Sequence, residues 1–131
     1  MENPVHRHVR EVAFADTDAS GWVHFPNVFR FVEAAEHEFL RSRGITVFDP
    51  ANGGWPRVHA SCDYHRPIKP AESIEIQLGI ATLGNSSIHW TFEVLGTDGS
   101  LKASGGMTTV HIGADGKKQS ISPADRAALE S

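Results

Sequence analysis

The chain has 131 residues, a formal net charge of −4 and one cysteine, Cys62. That length suits a single domain spanning 1–131, and the negative balance gives no electrostatic reason to bind nucleic acid or an anionic membrane. Hydrophobic residues at 40% and charged residues at 21% fit an ordinary globular protein. No apolar run approaches the ~20 residues of a membrane span. The segment Met1–His6 lacks the basic and apolar regions of a signal peptide. One cysteine cannot form an intrachain disulfide, so a reducing, cytoplasmic location is expected.

Residues 7–15 read as a strand, with Val12 and Phe14 alternating with charged or small neighbours. An acidic turn follows, Asp16-Thr-Asp18-Ala-Ser-Gly21. Residues 27–43 read as a helix, because Val28, Phe31, Val32, Ala35, Phe39 and Leu40 form one apolar stripe. Pro26 is tolerated at its start, and Arg41, Arg43 and Gly44 suit its end. Asn52-Gly-Gly54 marks a loop. Beyond it the period changes to two. Val58, Ala60, Cys62 and Tyr64 make one strand, Ile74, Ile76, Leu78 and Ile80 a second, and Ile88, Trp90, Phe92 and Val94 a third. Asp98-Gly99 is a hairpin turn, and 101–112 a last strand with a bulge expected near Gly105-Gly106. Ser122-Pro123 caps a short terminal helix. Joins this short demand an antiparallel sheet, and the long helix buries its stripe only by lying across it.

The acidic turn is the most informative stretch. A carboxylate next to a helix start sits where main-chain N–H groups are unpaired and the potential is positive. Such a place suits attack on an acyl carbonyl. Asp18 is a candidate nucleophile, or a general base towards water. Gly21 lets the backbone turn sharply or approach a substrate. His24, Asn27, His59 and Ser61 are candidates for substrate contacts. Asp16 reads better as a turn or helix-entry residue. Asp16-x-Asp18-x-Ser20-Gly21 also opens like an EF-hand loop, but its twelfth position is Asn27 and a strand precedes it, so no metal site is expected.

The motif Phe14-Ala-Asp16-Thr-Asp18-Ala-Ser-Gly21-Trp-Val23-His-Phe25-Pro-Asn27, with Tyr64-His-Arg-Pro67 and Gly84-Asn-Ser86-Ser87 further on, resembles the hotdog-fold thioesterases of the 4-hydroxybenzoyl-CoA type. The resemblance implies an α+β hotdog fold, an antiparallel sheet of about five strands wrapped around one long helix. It implies hydrolysis of an acyl-CoA thioester to free acid and coenzyme A, with no cofactor beyond the coenzyme A of the substrate. Asp18 matches the family's catalytic carboxylate, and Phe25 the residue whose main-chain N–H polarises the thioester carbonyl. Asn85 and Ser86 fall in a segment expected near the coenzyme A moiety, although no basic residue stands at Asn85 to hold a phosphate. The family also implies a homodimer or homotetramer with the site between subunits.

Three other readings are open. A hotdog protein that binds acyl-CoA without hydrolysing it would carry the same motif. A hydratase or dehydratase needs a His–carboxylate pair, for which His59 with Asp63 is the one candidate. The third, a calcium module, has Asn27 at the twelfth position and the preceding strand against it.

Overall fold

The computed structural model describes residues 1–131. Period-two segments build one five-stranded antiparallel sheet from β1 (His6–Glu11), β4 (Arg57–Tyr64), β5 (Ser73–Leu83), β6 (Ser87–Leu95) and β7 (Leu101–Val110). Its order is β1-β5-β6-β7-β4. The helix α1 (Asn27–Ser42) lies against β5 and β1. The expected stripe of α1 is buried in full: Val28, Phe31, Val32, Ala35, Phe39 and Leu40 meet Ile74, Ile76, Leu78, Ile88, Trp90, Phe92 and Val94 of the sheet. Each Val, Leu, Ile or Phe among them contributes about 1.5–3 kcal/mol on leaving water. Trp90 keeps its polar atom satisfied, its Nε1–H donating to Thr109 Oγ1 at 3.0 Å. The terminal helix α2 (Pro123–Glu130) starts where Ser122 Oγ accepts the Asp125 N–H at 3.1 Å.

Several expectations need correction. The first strand ends at Glu11 rather than near 15, because Asp16 Oδ2 accepts the Ala13 N–H at 2.9 Å and closes a 3-10 turn over Phe14–Asp16. Phe14 is consequently exposed. The loop after α1 contains a ribbon, β2 (Phe48–Asp49) paired with β3 (Gly53–Gly54). The bulge expected near Gly105-Gly106 is not there. Pairing runs unbroken through Cys62↔Gly105 and Ser61↔Gly106, and the register of β4 on β7 shifts between Arg57 and His59 instead. Gly105 answers a close approach: a Cβ there would collide with the Ser61 carbonyl oxygen. The shift turns Val58 out to solvent and Arg57 in towards α1, where its guanidinium bonds Glu33 at 3.0 Å and also Glu36.

Glu36 was absent from the expected stripe, yet it is buried within it. Burial pushes its carboxyl up to about 7, with Arg57 pulling the other way and Glu33 adding to the rise. No helix is long and apolar enough to cross a membrane.

Candidate active site

The acidic turn connects the end of β1 to the start of α1, and main-chain and side-chain hydrogen bonds hold it together. The Asp16 carbonyl accepts the His24 N–H at 2.9 Å and the Asn27 Nδ2–H at 2.8 Å. The Val23 N–H reaches the Ile68 carbonyl at 2.8 Å, and the Gly21 N–H the Asp18 carbonyl at 3.0 Å. Gly21 has φ +82°, a conformation that a side chain disfavours. Between Ser20 and Phe29 every main-chain N–H has a partner except that of Phe25. Phe25 thus presents a free donor just before α1. Its carbonyl is also fixed, accepting the Tyr64 hydroxyl at 2.8 Å, and its ring meets that of Tyr64 edge-on at 6.1 Å. Burial pushes the Tyr64 hydroxyl up to about 12, so it stays a donor at neutral pH.

The two carboxylates of the turn have different surroundings. Asp16 is buried, capping Ala13 and lying 3.9 Å from the Arg10 guanidinium. Asp18 is open, its side chain 40% exposed. Asp18 Oδ1 accepts the Ser20 N–H at 2.8 Å and the Ser20 hydroxyl at 2.5 Å. Asp18 Oδ2 lies 3.1 Å from His24 Nδ1. The Ser20 bonds, then the His24 bond, hold the Asp18 carboxyl below the usual carboxylate range. It is ionised at neutral pH, as a nucleophile or base must be. The two acids face different partners.

A cavity of about 280 Å³ opens beside the turn. Trp22, Phe25, Val28, Tyr64 and Ile68 line it, together with His65, Arg66 and Lys102. Trp22 and Phe25 are among the large apolar side chains that remain exposed.

The structure brings Asp18, Gly21, His24, Phe25 and Asn27 together in the turn. Asn27 spends its side-chain N–H on the Asp16 carbonyl, so it braces the loop. His59 and Ser61 lie elsewhere. Their β7 partners are Thr108 and Gly106, whereas Ala60 and Tyr64 pair with the buried Met107 and Ala103. His59, Ser61 and Asp63 therefore occupy the sheet face away from α1, and His59 makes no hydrogen bond to Asp63. Asn85 and Ser86 sit in the β5–β6 turn, at the Leu83 end of β5, while the acidic turn follows Glu11, which pairs with Ser73 at the other end. There Asn85 Nδ2–H donates to Ser120 Oγ at 3.0 Å, and the Ser86 carbonyl accepts the His111 N–H at 2.7 Å. Within the chain these four residues do not reach Asp18.

Two contributors were missed in the sequence. Ser20 holds Asp18 through an Asx-type turn, a role its i+2 spacing already signalled. Tyr64 had a motif to mark it but nothing to pair it with Phe25, 39 positions away.

A family model described as the thioesterase-like superfamily matches residues 12–129. The chain belongs to that superfamily. Among relatives of this thioesterase is a 1,4-dihydroxy-2-naphthoyl-CoA hydrolase of Synechococcus sp., 31% identical over 122 residues, or 87% of this chain and 81% of that protein. Another of the same name, from Nostoc punctiforme, is 35% identical over 88 residues, covering 65% of this chain and 60% of that protein. A solved gentisyl-coenzyme A thioesterase superposes with a TM-score of 0.85 at 28% identity, covering 94% of this chain and 98% of its own. A 1,4-dihydroxy-2-naphthoyl-CoA thioesterase from Synechocystis gives 0.87 at 22% identity over 95% and 94%, a likeness in fold. The thioesterase has the hotdog architecture of these structures.

Proposed function

We propose that this thioesterase hydrolyses an acyl-CoA thioester to the free acid and coenzyme A. The Asp18 carboxylate acts as nucleophile or general base, and the Phe25 N–H receives the oxyanion. The observation that carries this reading is the unpaired Phe25 amide, left free by a turn that satisfies the amides around it and holds an ionised carboxylate. One such donor is worth about 3 kcal/mol to an acyl-transfer transition state. A thiolate leaves readily, so the site needs no strong general acid.

An aromatic acyl group suits the cavity, because Trp22, Phe25 and Tyr64 offer ring faces and edges. The aromatic acyl groups in the names of the naphthoyl and gentisyl relatives support the same choice. A homodimer completes the site. β4 is an edge strand with Val58 and Tyr64 exposed, and Asp18 has no cover of its own in one protomer. In such an assembly His59, Ser61, Asn85 and Ser86 serve the coenzyme A only from the partner copy. The single cysteine supports a reducing, cytoplasmic setting.

A thiol-release screen over short, long and aromatic acyl-CoA esters tests the reading. Aromatic esters are expected to turn over fastest. Tight acyl-CoA binding with no thiol release would instead mark a binding protein, and a hydrated enoyl-CoA product a hydratase.

A further inference from the structure

The Asp18 carboxylate has little basicity to spare. Oδ1 already accepts two hydrogen bonds from Ser20, at 2.8 and 2.5 Å, and Oδ2 faces His24 Nδ1 at 3.1 Å. Each of these bonds stabilises the ion and weakens it as a proton acceptor, which agrees with the downward shift of its carboxyl. Each also occupies an oxygen lone pair that a direct attack on a carbonyl carbon would use. The neighbouring imidazole has the opposite standing. An ionised carboxylate only accepts, so in the neutral imidazole the His24 proton sits on Nδ1 and the lone pair on Nε2. Nε2 has no partner in the molecule, and the His24 side chain is 49% exposed. The ring packs edge-on against Phe25 at 5.3 Å, beside the residue that holds the free amide. The His24 main chain is pinned to the Asp16 carbonyl, and its ring is tied to Asp18 through Nδ1.

We propose that His24 Nε2 is the atom that takes the proton from the attacking water, with Asp18 orienting the imidazole and stabilising its charged form. The proposal rests on the thioesterase reading and resolves its two roles for Asp18 in favour of general-base chemistry. Water oxygen bonds to the thioester carbon as one water proton passes to Nε2, and the carbonyl electron pair moves to the oxyanion at the Phe25 N–H. The oxyanion collapses, the C–S bond breaks with its pair on sulfur, and the imidazolium returns its proton to the thiolate. Acid and thiol are the products, and the site is restored. The charged group that meets the His24 side chain is Asp18 on the same turn; Asp16, whose carbonyl holds the His24 N–H, has its carboxylate 3.9 Å from Arg10 of β1. Arg66 and Lys102 line the same cavity as Phe25.

The test uses the full chain and an aromatic acyl-CoA such as benzoyl-coenzyme A. Single-turnover hydrolysis in ¹⁸O-water, with enzyme in excess, is expected to place the label in the released benzoate; label in the Asp18 carboxylate overturns the proposal. His24→Gln, at a half-exposed position, is expected to fold normally and to lose about a hundredfold in kcat. It should also lose the acid limb of the kcat/KM profile that a general base imposes. A variant within threefold of the parent with an unchanged profile shows the carboxylate acting alone, and likewise overturns it. If the parent itself releases no thiol from any ester, the thioesterase reading falls as well, which separates the two failures.

Discussion

The Tyr64 hydroxyl donates to the main-chain carbonyl of Phe25 across 2.8 Å, joining the end of edge strand β4 to the residue that opens α1. That bond fixes the Phe25–Pro26 peptide unit, the one adjoining the unit that carries the free N–H. Tyr64→Phe keeps the ring and its edge contact but removes the donor. A lost bond of this kind is worth about 1 kcal/mol, or roughly fivefold in rate if it acts on the transition state. The expected result is kcat lower by about that factor with KM within twofold, measured by thiol release beside a melting curve that barely moves.

Asp18→Asn preserves shape and removes charge. Its side chain is 40% exposed, so the fold should survive, as circular dichroism will show. Turnover should fall at least about a hundredfold, the ordinary worth of acid–base participation. Retained turnover removes Asp18 from the mechanism.

Glu36 ties stability to pH. Its carboxyl is raised in the fold to about 7 from 4.5, so the folded chain holds this proton more tightly than the unfolded chain does. The contribution is complete below pH 4.5 and is lost as pH rises through about 7. A shift of this size corresponds to roughly 3 kcal/mol. Urea melts between pH 5 and 8 should show stability declining over that window, and Glu36→Gln should flatten the decline.

Gly105→Ala places a methyl group against the Ser61 carbonyl and the Phe92 ring. Both lie in paired strands, so the backbone must shift. The expected cost is about 1–3 kcal/mol, seen as a lower denaturation midpoint, with β4 the first strand to lose amide protection in hydrogen exchange.

Much of this architecture was legible in the order of residues, since period alone distinguishes a helix stripe such as Val28–Leu40 from strands such as Ile74–Ile80. What escaped was set by contacts between distant segments. The shift at Val58 exchanges an expected core residue for Arg57, and only the pairing of β4 with β7 reveals it. Glu36 falls at a stripe position, but its partner lies 21 residues on. At the site, Asp18, Gly21 and Phe25 were legible because they share one short motif. His59, Ser61, Asn85 and Ser86 depended on knowing which sheet face and which sheet end they occupy, and alternation does not carry that.

The closed hydrogen-bond circuit from Ser20 to Phe29 bears on how a ligand is met. A loop whose amides are already engaged has few alternative shapes to relinquish when an acyl group arrives, so its donor and its ion stand in working position beforehand. Recognition here should resemble a key entering a cut lock, with the motion confined to whatever closes over the outer side.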